Sequence, residues 1–404
     1  MFSWFEKRLD PFPVAEPGEP PRTLWAFCWH FTRPAWPFVL LAAVLMALIA
    51  IMEVWMFGFL GHIVDWLSAQ NRDTFLQTEW WKLAGMVLVV AVFLPAAVML
   101  SSFNTYQTLF GNYPMRIRWQ VHRYLIKQSM AFYQDEFAGR IATKLMQTAL
   151  AVRETVIKFA EVLNYVVVYF IGILVIVGSS DWRLAMPLAL WLAGYLVALR
   201  HFIPRLGSVS QAQADARSLM TGRIVDSYTN IQTVKLFSHG RRESDYAREG
   251  MAEFMQTAYA QGRLISQFYI VVYGLNSLLL LSVGALAIGL WLDEVVTVGA
   301  VAVAIGLVVR LYGMSQWIMW EVSALFENIG TVQDGIGSIS LPRLVEDRPG
   351  ARAIAVDKGE IRFDAVRFHY GKGKGVLENL ALTIRPGEKV GIVGRSGAGK
   401  STLV

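Results

Sequence analysis

Six long apolar stretches, separated by polar segments of very unequal length, dominate the chain. They lie near 36–60, 83–110, 156–178, 183–203, 266–291 and 296–322. Each reaches the roughly 20 residues that a helix needs to cross the hydrocarbon core of a bilayer. The pattern therefore predicts six membrane-spanning helices. The second, fourth and sixth run into amphipathic sequence without a strong breaker, so their helices are expected to continue past the membrane. Ahead of the first, Leu24, Phe27, Cys28 and Phe31 fall at i, i+3, i+4 and i+7, one face of a short helix. With Trp25 and Trp29 alongside, that helix either lies in the headgroup layer or packs as a core helix. Residues 1–20 hold four prolines and mixed charge, and read as a loose tail.

Beyond the sixth stretch the period changes. Gly330 to Gly359 contains Gly335, Gly337, Pro342, Pro349 and Gly350, a linker composition. Residues 360–370 alternate apolar and charged positions, as a half-buried strand does. A glycine-rich turn follows at 371–375, then a second strand from Leu380 to Arg385 and a turn at Pro386-Gly387. A third short strand is expected over 389–393. The expected fold class is a membrane all-α six-helix domain followed by the start of an α/β phosphate-loop domain.

Composition supports the membrane assignment. Of 404 residues only 17% are charged, against about a quarter in soluble domains, and the mean hydropathy is +0.42. The net charge of +6 is modest, and its distribution says more than its size. The loop between the second and third stretches carries Arg116, Arg118, Arg123, Lys127, Arg140, Lys144 and Arg153. The loop between the fourth and fifth carries Arg205, Arg217, Arg223, Lys235, Arg241, Arg242, Arg248 and Arg263. The opposite loops offer Arg72 on one side and Asp293 and Glu294 on another. The positive-inside rule thus places both termini and the two long loops in the cytosol. No segment interleaves basic and aromatic residues as a nucleic-acid site would. The lone Cys28 excludes an intramolecular disulfide and offers no metal-ligand spacing. The six histidines also lack ligand spacing. No cleavable signal peptide is evident, because the first 37 residues are charged and proline-rich.

The stretch Gly394, Arg395, Ser396, Gly397, Ala398, Gly399, Lys400, Ser401, Thr402 fits G-x-x-x-x-G-K-[ST]. A phosphate chain needs many donors close together. Glycines at 394, 397 and 399 let the backbone curl until successive N–H groups point inward as an anion nest. A helix beginning near Lys400 adds its positive end. Lys400 can then reach β- and γ-phosphates, and the Ser401 hydroxyl can ligate Mg²⁺. Within the spans, ionisable groups are costly and so invite a functional reading. Glu53 lies in the first, and Arg310, Met314, Trp317 and Glu321 share a face of the sixth, eleven residues being about three turns. This face either lines a transport pathway, or Arg310 and Glu321 snorkel or pair structurally. Asn164, Asn276 and Gln316 read as interhelical hydrogen-bonding groups.

Six spans, two long basic loops, a linker and a phosphate loop together resemble one half of an ABC exporter, over nearly the whole chain from about residue 20. Residues 366–370, Val-Arg-Phe-His-Tyr, are similar to the family's A-loop, which implies that Tyr370 stacks on adenine. Residues 129–141 and 227–237 resemble the two intracellular coupling loops. The resemblance implies ATP and Mg²⁺ as cofactors, with residues 394–402 as the Walker A motif. It also implies pairing with a second half-transporter, as homodimer or heterodimer. The domains expected are a tail and interfacial elbow helix at 1–34, the exporter transmembrane domain at 35–330, a linker at 331–358, and the N-terminal part of the nucleotide-binding domain at 359–404. The coupling loops fall at about 112–155 and 205–263.

The expected function is ATP-driven export of a small molecule, lipid or peptide from a bacterial-type inner membrane. The aromatic- and Met-rich spans tilt the cargo towards lipids or drugs. The rivals are a nucleotide-gated channel or importer on the same scaffold, and a hydrolysis-incompetent truncated subunit that modulates an intact half. The family's glutamine loop, LSGGQ-type signature, Walker B aspartate with catalytic glutamate, and switch histidine all follow the Walker A helix, and none occurs in 1–404. An incomplete sequence of a full transporter is the favoured explanation. The 404-residue chain by itself is accordingly expected to bind ATP weakly or not at all and to hydrolyse none. Micromolar nucleotide binding by the purified chain contradicts that expectation.

Overall fold

The structure, a computed structural model, describes residues 2–69, 75–135, 138–237, 239–345, 350–352, 354–356, 358–369 and 376–404. Arg72, Pro349, Tyr370 and the turn at 371–375 lie outside the described residues. The chain forms two compact units, Met1–Leu344 and Val345–Val404.

The first unit is helical. Among the described residues, six helices are long and apolar enough to cross a membrane: Trp36–Ser68, Gln77–Leu125, Arg140–Ser180, Trp182–Thr229, Gly240–Leu292 and Val298–Ile339. This is a multi-pass membrane protein. The second, fourth and sixth helices outrun their apolar cores, as the missing breakers predict. The third and fifth also do so, at their N-terminal ends. Short polar punctuation separates neighbours. The Asp181 side chain accepts from the Arg183 N–H at 2.8 Å and caps the fourth helix. Thr297 caps the sixth by accepting from the Ala300 N–H at 3.1 Å. Gly335 and Gly337, expected in a linker, sit inside the sixth helix. At Gly335 a Cβ would come within 2.0 Å of the Thr148 hydroxyl, so this glycine permits close helix contact.

Among the described residues, three π-helical turns interrupt the ladder: Val89–Phe93 and Phe103–Leu109 in the second span, and Lys158–Leu163 in the third. Each inserts an extra residue per turn and re-aims the side chains around it. The spans pack around a core that includes Tyr169, Leu188, Phe268, Val283 and Leu307. Polar cross-links tie it together. Trp191 Nε1 donates to Asn276 Oδ1 at 2.9 Å, and Asn276 Nδ2 donates to Ser315 Oγ at 2.8 Å. Asn164 Nδ2 donates to the Ala43 carbonyl at 2.6 Å. Asn164 and Asn276 are thus interhelical, whereas Gln316 makes no such bond among the described residues.

A second core joins the short helix Leu24–Thr32 to Tyr113, Ile117, Tyr124 and Val152. Phe27, Cys28 and Phe31 are buried there, while Trp25 and Trp29 stay exposed. One face of this helix is thus packed as a core helix's is, and the other is free of the core. Burial pushes the Cys28 thiol up to about 11, so it is an inert thiol at neutral pH.

The tail is not loose. Its carbonyls meet a stripe of donors at helical spacing on the second long helix. Thr108 Oγ1 donates to Phe5 O at 3.1 Å, Asn112 Nδ2 to Glu6 O at 2.7 Å and Arg116 Nη1 to Asp10 O at 2.7 Å. Further along, Trp119 Nε1 donates to Pro13 O at 3.1 Å, and Arg123 Nη1 donates to the Val14 and Ala15 carbonyls at 2.9 Å. Lys127 closes the row on Glu16. That hydrogen bond and charge hold the Glu16 carboxyl below the usual carboxylate range. Its anchoring is therefore present above that range and lost as pH falls through the lowered value. Composition predicted disorder because proline and charge cannot form a core. It did not foresee that extended carbonyls could be satisfied by side chains from elsewhere.

In the second unit, β1 (Ile361–Phe368) pairs antiparallel with β2 (Leu377–Ile384), with Ile361 opposite Ile384 and Phe363 opposite Leu382. Phe363, Val366, Leu380 and Leu382 are half-buried, and no described residue of this unit is fully buried. The turn at Pro386-Gly387 forms with Gly387 at φ +75° and Glu388 N–H bonded to Arg385 O at 3.0 Å. The strand expected over 389–393 is not formed. A strand exists through its ladder, and no neighbouring strand pairs with this segment among the described residues.

The first and sixth spans cross at Gly61 and Gly299. A Cβ on Gly299 would lie 2.2 Å from Gly61 O and 2.6 Å from the Asp65 carboxylate. That carboxylate accepts from the Gly299 N–H at 2.7 Å and from Thr297 Oγ1 at 2.8 Å. Gly→Ala in a helix ordinarily stabilises by ~0.5–1 kcal/mol. At 299 the sign should reverse, with a loss of about 1–3 kcal/mol from overpacking. Thermal unfolding in detergent should show Gly299→Ala melting below wild type and Gly284→Ala, where a Cβ meets nothing within 4 Å, at or above it. Equal behaviour of the two contradicts the close crossing.

Candidate functional site

Among the spans, the first, second, third and sixth line an open cavity of about 550 Å³. Glu53, Arg310, Met314 and Trp317 all line it, so the acid of the first span and three of the four face residues of the sixth come together. Arg310 Nη2 donates to Glu53 Oε2 at 3.0 Å, and the Tyr165 hydroxyl donates to the same oxygen at 2.8 Å. The guanidinium also lies 6.0 Å from the centre of the Tyr169 ring. One carboxylate is thereby tied to two other helices. An unpaired charge among the spans is costly, and these hydrogen bonds offset part of the desolvation of both groups. Glu321 turns away and pairs with Lys158 of the third span, a structural link outside the cavity lining.

Sequence reasoning overlooked Glu161. It projects from the π turn Lys158–Leu163 into the cavity, where Thr105 Oγ1 donates to its Oε1 at 2.5 Å. Thr105 sits on the opposing π turn Phe103–Leu109. The signal was available, an acid within an apolar span, but the side-chain aim depends on the extra residue of each π turn. No periodicity displays that.

The phosphate loop belongs to the second unit. Gly397 and Gly399 have φ of +81° and +80°, values that side-chain-bearing residues adopt at a cost. A Cβ on Gly399 would also press on Val376 and Leu377 at 3.1 Å. Lys400 Nζ curls back and donates to the Gly394 and Arg395 carbonyls at 2.8 Å each. The helix Lys400–Leu403 starts directly after Gly399. Ser401 is exposed beside the loop, as are Arg395, Ser396 and Ala398. The loop thus wraps the Lys400 ammonium with its own carbonyls, with glycines where the backbone must turn. Tyr370, expected against adenine, lies outside the described residues.

Two short helices mark the turning points of the long polar segments. Met130–Asp135 follows the second span, and Ile231–Leu236 sits between the fourth and fifth. They fall within the segments that resemble coupling loops.

The sequence profile of the ABC transporter transmembrane region matches residues 39–313, and that of the ABC transporter matches residues 377–404. The chain belongs to the ABC transporters. It is 45% identical over 404 residues to an uncharacterized ABC transporter ATP-binding protein of Haemophilus influenzae, covering 100% of this chain and 66% of that protein. To antigen peptide transporter 2 of Rattus norvegicus it is 23% identical over 399 residues, 96% of this chain and 55% of the relative. The chain therefore spans about two thirds or less of these relatives' own length. The fold is similar to the structure of a bacterial Atm1-family ABC exporter with ATP bound. The TM-score is 0.68 at 20% identity, covering 89% of this chain and 63% of that one.

Proposed function

We propose that this chain is the membrane half of an ATP-driven exporter, working with a second half-transporter in a cell membrane with its phosphate loop in the cytosol. The observation that carries the reading is the presence, in one chain, of a cavity among the membrane spans lined by Glu53, Glu161 and Arg310, and of a glycine-rich loop whose carbonyls hold the Lys400 ammonium. Lys400 and the loop N–H groups would hold the ATP phosphates, and Ser401 would hold Mg²⁺, which supplies charge neutralisation at the transferred phosphoryl group. The two basic segments, carrying the short helices Met130–Asp135 and Ile231–Leu236, favour a cytosolic position under the positive-inside rule. There they suit a coupling role between nucleotide domain and spans. The names of the relatives speak of peptide in one case and of the Atm1 family in another, so family membership leaves the cargo open.

The test uses inside-out vesicles carrying the full-length protein and a lipophilic fluorescent dye. ATP should drive accumulation of the dye against its gradient, and Lys400→Ala should reduce it by about 10²–10³-fold, as loss of a preorganised phosphate contact does. Flux that follows ATP binding without hydrolysis, and runs only down the gradient, would instead establish a channel. Unaltered uptake by Lys400→Ala would remove the phosphate loop from the mechanism.

A further inference from the structure

We infer that the cavity among the spans binds an amphipathic organic cation, with Glu161 as its counter-ion. The inference rests on the export reading only in taking this cavity as a station of the cargo.

Charge sets the sign of the ligand. The ionisable carboxylates and bases that line the cavity are Glu53, Glu161 and Arg310, two acids to one base. Arg310 is committed to Glu53 at 3.0 Å. Lys158, one turn from Glu161, is committed to Glu321, and Arg153 to Glu154. Glu161 keeps a single neutral partner, the Thr105 hydroxyl on Oε1. An ionised carboxylate among apolar helices with no cation beside it is costly, and a positively charged ligand relieves that cost. An anion gains nothing here, because the one guanidinium already has its carboxylate.

The walls set the kind of cation. A bare divalent metal ion would need about six to eight oxygen ligands, and no group of three or more His, Cys, Asp or Glu side chains assembles among the described residues. Instead, Tyr106, Trp317, Met46 and Met314 line the same cavity as the acid. Aromatic faces attract organic cations, and methionine adapts to irregular apolar shapes. The volume of about 550 Å³ lies in the range of small-molecule sites. Tyr106 and Glu161 both reach the cavity from π turns, backbone irregularities that concentrate at functional sites.

Tetraphenylphosphonium and tetraphenylborate have nearly the same size and shape and opposite charge. Each should be measured alone, by equilibrium binding to the full-length protein in phosphatidylcholine nanodiscs without nucleotide, with empty nanodiscs subtracted. The phosphonium should bind saturably and the borate should not. Glu161→Gln should weaken phosphonium binding about tenfold or more, and Trp317→Leu a few-fold. Glu161→Asp, which disturbs packing but keeps the charge, should retain the preference for the cation. Saturable borate binding as tight as that of the phosphonium overturns the inference. So does wild-type phosphonium affinity in a folded Glu161→Gln protein, or no saturable phosphonium binding at all. Binding is read without ATP, so it can fail while vesicle uptake of another dye succeeds, and it can succeed where ATP drives nothing.

Discussion

Everything in the membrane unit answers to one constraint: polar groups at bilayer depth must find partners inside the protein. The Glu53–Arg310 pair, closed by Tyr165, is its most demanding instance. It joins the first, third and sixth spans at the wall of the cavity, so the charges that would forbid a polar interior instead define one. The same rule places Asn276 between Trp191 and Ser315, and Lys158 against Glu321. Each link adds a directional contact between helices that also pack through apolar side chains. Polar links of this kind fix which helices meet, and at which level, where apolar packing alone would tolerate sliding.

Glu161 departs from this pattern of charge pairing. Glu161 has its position defined by two π turns and a threonine, yet no cation. Glu53, Glu321 and Glu154 each have a base beside them, whereas this carboxyl at the cavity has none among the described residues. The tail shows the opposite economy. Its carbonyls and the Glu16 carboxylate are held by donors spread from Thr108 to Lys127, which attaches the start of the chain to the second long helix.

Much of this was legible in the sequence, for physical reasons. Spans are legible because a bilayer demands long apolar runs, and the phosphate loop because glycine is needed where φ is positive, as at Gly397 and Gly399. Arg310, Met314 and Trp317 share a face through helical period alone, and that face does line the cavity. What stayed hidden depends on partners distant in sequence. Glu321 meets Lys158 from another span, the tail meets donors about a hundred residues on, and Glu161 is aimed by a local break in helical geometry. The segment 389–393 has the composition of a strand, but a strand is a relation to a neighbour, which composition cannot supply.

The central claim is that the Glu53–Arg310 pair holds the cavity wall together, and a double-mutant cycle in thermal unfolding tests it most directly. Glu53→Gln and Arg310→Met should each lower the unfolding midpoint, because each leaves one charge unpaired among the spans. The double variant should recover much of the loss, with a coupling of at least ~1 kcal/mol for groups in direct contact. Simple addition of the two single losses would contradict the account, since it would mean that the charges stand in the membrane unit without depending on one another.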